Sequence, residues 1–147
     1  MKDPFDDFSG EIRCADDSIS YRSSSGDCSL PISAIRLIGE YTTSEGPCID
    51  DYFFVFLTAP EGGWHQASFY AKGRDEALQL LGEKIGAPIE AGLCNSTEFK
   101  TRIIWPLRLK NQAMMDVLPP TKQNFWQKLI GERMIALSPA AREAFIN

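Results

Sequence analysis

The sequence predicts an α+β domain: an antiparallel β-meander sheet of five or six strands packed against a helix at 73–85, followed by C-terminal helices. Three observations carry this expectation. Short runs of β-branched and aromatic residues recur along residues 8–71 between clusters of Gly, Pro, Asp and Ser. Residues 73–85 space their apolar side chains as one face of a helix. Residues 99–110 sort apolar and cationic side chains by parity, the period of a strand. At 147 residues, with 44% hydrophobic content and nine Phe, the chain can bury a core without a metal or disulfide.

Residues 8–14 and 18–22 read as two short strands around an Asp16-Asp17 turn, with residues 23–27 as a loop. Residues 30–42 read as one longer strand, in which Gly39 marks a bulge. Ser44-Glu45-Gly46-Pro47 breaks the chain. Tyr52 to Thr58 is too rich in aromatic and β-branched residues to be anything but a central strand. A five-residue loop, 59–63, keeps Pro60 out of the ladder and pairs Thr58 with Trp64 and Leu57 with His65. That register puts Phe53, Val55, Leu57, His65, Ala67, Phe69 and Ala71 on the core face. Tyr52, Phe54, Phe56, Trp64, Gln66, Ser68 and Tyr70 take the other.

In the helix at 73–85, Asp75 and Glu76 suit the positive end of the dipole, and Ala77, Leu78, Leu81 and Ile85 form the buried stripe. Gly86 and Pro88 end it, and Gly82 inside it signals close packing. In residues 99–110, Phe99, Ile103, Trp105, Leu107 and Leu109 should look inward while Lys100, Arg102, Arg108 and Lys110 look out. Pro106 makes this an edge strand. Residues 111–120 connect to a helix capped by Thr121 and running to about Ala136. Ser138-Pro139 starts a short final helix, with Ser as cap and Pro at its first position. The expected division is an α+β domain over 1–118 and a helical segment over 119–147 packed on it.

Charge is unevenly placed. Residues 1–99 carry 17 acids and 7 cations, a net of −10, whereas residues 100–147 carry 3 acids and 8 cations, a net of +5. Such asymmetry marks either docking of the basic part on the acidic remainder or a charged partner. Cys14, Cys28, Cys48 and Cys94 form no CxxC pair, and His65 is the one histidine, so neither a metal nor another cofactor is expected. The N-terminus has no basic stretch followed by an apolar run, and no window reaches 18 uninterrupted apolar residues. A cytoplasmic protein with reduced thiols follows as the expectation, which makes the Asn95-Ser96-Thr97 sequon idle.

Nothing in the residues points to catalysis. His65 is the one candidate base for neutral pH, and on the core face it lies far from Asp50 and Asp51. The acidic pairs Asp6-Asp7, Asp16-Asp17, Asp50-Asp51 and Asp75-Glu76 sit at expected turns or a helix start. There is no nucleophile elbow, phosphate-binding glycine loop or HExxH helix, and no small-molecule substrate is evident. The candidate binding residues are the aromatics Tyr52, Phe54, Phe56, Trp64 and Tyr70 and the cations Lys100, Arg102, Arg108 and Lys110. The aromatics double as a second core layer if the C-terminal helices lie over them. The expectation is a non-enzymatic protein-interaction module with a charge-polarised surface, binding a protein partner or itself. The alternative is a peripheral module that contacts acidic lipid or nucleic acid through the basic strand face. The acidic balance of the chain weighs against that alternative.

Overall fold

The computed structural model describes residues 9–23, 26–43, 51–59, 62–94, 98–117, 127–130 and 133–145. The molecule is α+β and antiparallel, but its strands fall into three sheets rather than one meander. Cys48, Asp6-Asp7, the break at 44–47, the sequon at Asn95 and the expected helix start at Thr121 lie outside the described residues.

The first sheet is a three-stranded meander of β1 (Glu11–Ala15), β2 (Ser18–Ser23) and β3 (Gly26–Pro31). Ala15 pairs with Ser18, so Asp16-Asp17 is the turn, with Asp16 at φ 53. A short polar side chain tolerates that left-handed position. Alternation buries Ile12, Cys14, Ile19 and Leu30 on one face. The expected loop at 23–27 and single strand over 30–42 are both corrected here. Asp27 and Cys28 belong to β3, and the long strand is cut in two. Pro31 has no N–H to continue a ladder, and residues Ile32–Ala34 form a 3₁₀ turn closed by the Ile35 N–H donating to the Ile32 carbonyl at 3.1 Å. Leu30 therefore serves one sheet and Leu37 the next.

The central sheet holds β4 (Leu37–Thr42), β5 (Tyr52–Leu57), β6 (Trp64–Ser68) and β7 (Lys100–Trp105), in the order β6-β5-β4-β7. The register between β4 and β7 shifts at Ile38/Gly39, where the bulge was expected. A Cβ on Gly39 would collide with the Met114 sulfur.

The β5–β6 hairpin is one residue off the expected register. Leu57 pairs with Trp64 and Phe56 with His65, while the Thr58 N–H donates to the Gly63 carbonyl at 3.0 Å. The cause is local: the Gly63 backbone folds so tightly over Ala59 that no side chain would fit there. Alternation within each strand is as expected, but the faces join differently. Tyr52, Phe54, Phe56, His65 and Ala67 share one face; Phe53, Val55, Leu57, Trp64, Gln66 and Ser68 share the other.

Both faces are covered, which is why all six residues of β4 are buried. Ile38, Phe54, Phe56 and Ile104 meet the first sheet and helix α1 (Arg74–Ile85) in one core. Leu37, Val55, Leu57 and Ile103 meet Leu109, Met114 and the C-terminal residues in a second. In α1, Ala77, Leu78 and Leu81 are buried, and glycines in left-handed conformation stand at both caps, Gly73 at φ 80 and Gly86 at φ 76. The close packing expected at Gly82 is present: a Cβ there would lie 2.8 Å from the Ala87 carbonyl oxygen. Alanine at 82 should gain about 1 kcal/mol of helix propensity and lose more to that backbone contact. Gly82→Ala is therefore expected to lower the thermal midpoint read by circular dichroism. A raised midpoint would mean that the Ala87 loop yields freely.

The third sheet corrects the C-terminal expectation. In place of a helix reaching Ala136, β8 (Met115–Val117), β9 (Gln127–Ile130) and β10 (Arg133–Leu137) pair in the order β8-β10-β9. Ile130 pairs with Arg133, leaving only Gly131-Glu132 between the strands. Because β8 precedes residue 118 and pairs with β10, this sheet crosses the expected boundary at 118/119. The final helix, α2 (Pro139–Glu143), starts as expected. The Ser138 hydroxyl accepts from the Ala141 N–H at 3.1 Å, with Pro139 at the first position.

Candidate functional site

Glu40 sits mid-strand in β4, where covered faces leave it no route to water; its exposure is 0%. A carboxylate there is tolerated only if it is paired and fully hydrogen-bonded. The sheet supplies the partners. Arg102 on β7 lies directly across from Glu40, and Tyr52 projects from β5 on the same face. Oε1 accepts from the Tyr52 hydroxyl and from the Gly92 N–H at 3.1 Å. Oε2 accepts from the Gly92 N–H at 3.0 Å and from Arg102 Nε at 2.8 Å.

The guanidinium is equally engaged. Nη1 donates to Asn111 Oδ1 at 3.0 Å and Nη2 to the Glu90 carbonyl at 2.8 Å. The Leu93 N–H donates to the Tyr52 oxygen at 3.1 Å. Burial, and then the hydrogen bond to the Glu40 carboxylate, hold the Tyr52 hydroxyl far above the usual tyrosine range, while the Leu93 N–H pulls it partly back. A carboxylate has about four acceptor positions; here three donors make four contacts, because the Gly92 N–H is shared between the two oxygens. The cluster fastens residues 90–93 to the central sheet and leaves no position for a substrate.

The expected binding residues are not brought together. Phe54 and Phe56, 0% and 3% exposed, belong to the first core, and Tyr52, 3% exposed, stacks on Phe69 beside it and donates to Glu40, so none of the three forms a surface platform. Their cover is α1 and the first sheet, not residues 121–147, which leaves the C-terminal residues to cover the opposite face. Trp64, moved to that opposite face by the register, is half-buried, and its Nε1 donates to Gln66 Oε1 at 2.9 Å. Tyr70 is exposed and donates to Asp51 Oδ1 at 2.6 Å.

The four cations share no common exposed face either. The strand stops at Trp105, and after Pro106 the chain turns through a 3₁₀ segment, Leu107–Leu109. Lys100 is exposed and Lys110 half-buried, while Arg108 donates to the Glu143 carbonyl at 3.2 Å. Arg102 shares its side of β7 with fully buried Ile104, because that side belongs to the first core rather than to solvent.

His65 pairs with Phe56 and is half-buried, and its imidazole makes no hydrogen bond or ion pair among the described residues. Cys14, Cys28 and Cys94 are free thiols. Burial raises the first two above the usual thiol range, so neither is an activated thiolate. Among the described residues, no group of three or more His, Cys, Asp or Glu could hold a metal ion. No helix there is long and apolar enough to cross a membrane.

What the surface does present is a line of carboxylates on α1 and the loop after it. Arg13, Arg22 and Arg74 each lie beside an acid of their own, Glu11, Asp27 and Asp75. Glu76, Glu83 and Glu90 are exposed and make no ion pair among the described residues. Glu76 and Glu83 are two helical turns apart and therefore share a face. Each borders a depression: Glu76 one of about 350 Å³ between α1 and β1, Glu83 and Glu90 one of about 510 Å³ at the C-terminal end of α1. The sequence marked Glu76 as a helix-start acid and did not mark Glu83 or Glu90, because only the pairing of the neighbouring arginines sets the three apart. No protein-family model, curated protein or solved structure matches the chain.

Proposed function

We propose that this protein is a non-enzymatic, cytoplasmic interaction module that holds a basic protein partner against the outer face of α1. The observation that carries this reading is the row of unpaired carboxylates Glu76, Glu83 and Glu90, on a surface whose nearby arginines are already matched with acids. Uncompensated charge of one sign attracts the opposite sign and speeds encounter. Three of the five platform aromatics are buried and the cations at 100–110 are scattered, so the surface offers little to lipid or nucleic acid.

A titration of the isotope-labelled protein with decalysine tests the reading. Amide shifts should concentrate at residues 76–90, fade with added salt, and vanish in a Glu76→Gln/Glu83→Gln/Glu90→Gln variant. They should persist in an Asp16→Asn/Asp17→Asn variant of the β1–β2 turn. Equal loss in both variants would reduce the effect to net charge and sink the proposal. So would binding of oligothymidylate in preference to decalysine.

A further inference from the structure

The depression at the C-terminal end of α1 has a build that a merely acidic surface lacks. Gly82 and Gly86 stand one turn apart: the Ala87 backbone packs over the first, and the second, exposed, puts no side chain into the space. Leu78, Ala87 and Ile89, all buried, form its apolar floor, and Glu83 and Glu90 stand exposed among its walls. A Cβ on Gly86 would meet nothing within 4 Å, so the space beside it is open. The volume of about 510 Å³ falls within the roughly 300–1,000 Å³ of sites that take side chains or small ligands.

The charge of the rim selects the occupant. The two unpaired carboxylates are joined by the partial negative charge at the end of the helix. Lys84, the cation of the last turn, does not line the space. Arg102 reaches the Glu90 carbonyl from within the fold, but its charge is already matched by Glu40. An apolar floor between anionic walls fits an apolar side chain carried between cations.

Resting on the binding role proposed above, we infer that this groove seats a short partner segment in which leucine-sized apolar residues are flanked by Lys or Arg. The floor takes the apolar side chains, while Glu83 and Glu90 take the flanking cations. This is the groove-docking mode of peptide recognition.

Two synthetic peptides of equal charge decide it, one with two central leucines between paired arginines and one with serines in place of the leucines. Fluorescence anisotropy should show the leucine peptide binding at least tenfold tighter. Glu83→Gln/Glu90→Gln should weaken both peptides. Gln79→Trp, which fills the groove from its exposed wall, should erase the preference for leucine while leaving decalysine binding intact. Circular dichroism confirms that each variant is folded.

Equal affinity for the two peptides, or a leucine preference that survives Gln79→Trp, overturns the groove and leaves the acidic-face reading standing. Failure of decalysine as well as both peptides removes that reading too.

Discussion

Replacing Arg102 by methionine should destabilise the protein by roughly 3–5 kcal/mol, the largest effect expected of any substitution considered. The reason is what is left behind. Glu40 is fully buried, and Arg102, whose side chain is itself 13% exposed, provides its counter-charge. Without it the carboxylate must stay charged and uncompensated or take up a proton, and both carry a penalty. The same guanidinium holds the Glu90 carbonyl and Asn111, so residues 90–93 and the turn at 111 loosen together.

Chemical denaturation measures the loss. The control is the same substitution in a Glu40→Gln background, where no charge is orphaned. Arg102→Met should cost at least about 1 kcal/mol less there, as expected for residues in direct contact. Equal losses in both backgrounds would show that the ion pair is not what holds this region.

Stability should also fall in alkali, and Tyr52 identifies part of the cause. Its hydroxyl is raised in the folded state above the ordinary tyrosine value of about 10. Below that pH both folded and unfolded chains keep the proton, and the contribution is present in full. Above it the unfolded chain releases the proton while the folded chain retains it, so stability declines as pH climbs toward the folded value. The slope for one such group approaches about 1.4 kcal/mol per pH unit.

Tyr52→Phe should cost about 1–3 kcal/mol at neutral pH, because Glu40 loses a donor and the Leu93 N–H an acceptor. The gap between wild type and variant should then narrow above pH 10, read as denaturant midpoints across a pH series. A gap that stays constant into strong alkali would contradict this assignment.

Much of the fold was legible in local signals. The β1–β2 turn, the strand at 52–57, α1 with its glycine cap, and the Ser138-Pro139 start each follow from residues adjacent in sequence. What escaped depends on contacts between distant segments. The C-terminal strands were obscured because Thr121 offers a helix cap and the residues after it read as one helix to about Ala136. The parity expected over residues 99–110 holds only through Ile104, because the bulge opposite Ile38/Gly39 turns Trp105 to the first core while Ile103 faces the second, and it could not say which side faces water. Ile104 was the clue, an apolar residue on the side assigned to cations. Glu40 carried a similar signal, an acid inside the apolar run from Leu37 to Tyr41 that needs a buried cation from elsewhere in the chain. The groove at the end of α1 had only Gly82 and Gly86 to announce it.

The strand order β6-β5-β4-β7 has a consequence for biosynthesis. As the chain leaves the ribosome, β4, β5 and β6 emerge in succession and can pair at once. The far side of β4 must wait until α1 and the loop behind it have emerged and β7 arrives. Over that interval Glu40 has no Arg102, and an apolar strand presents an open edge to its neighbours. Such late, long-range pairing makes folding slower and exposes the nascent chain to aggregation, which places the burden of protecting the unfinished sheet on the cell's chaperones.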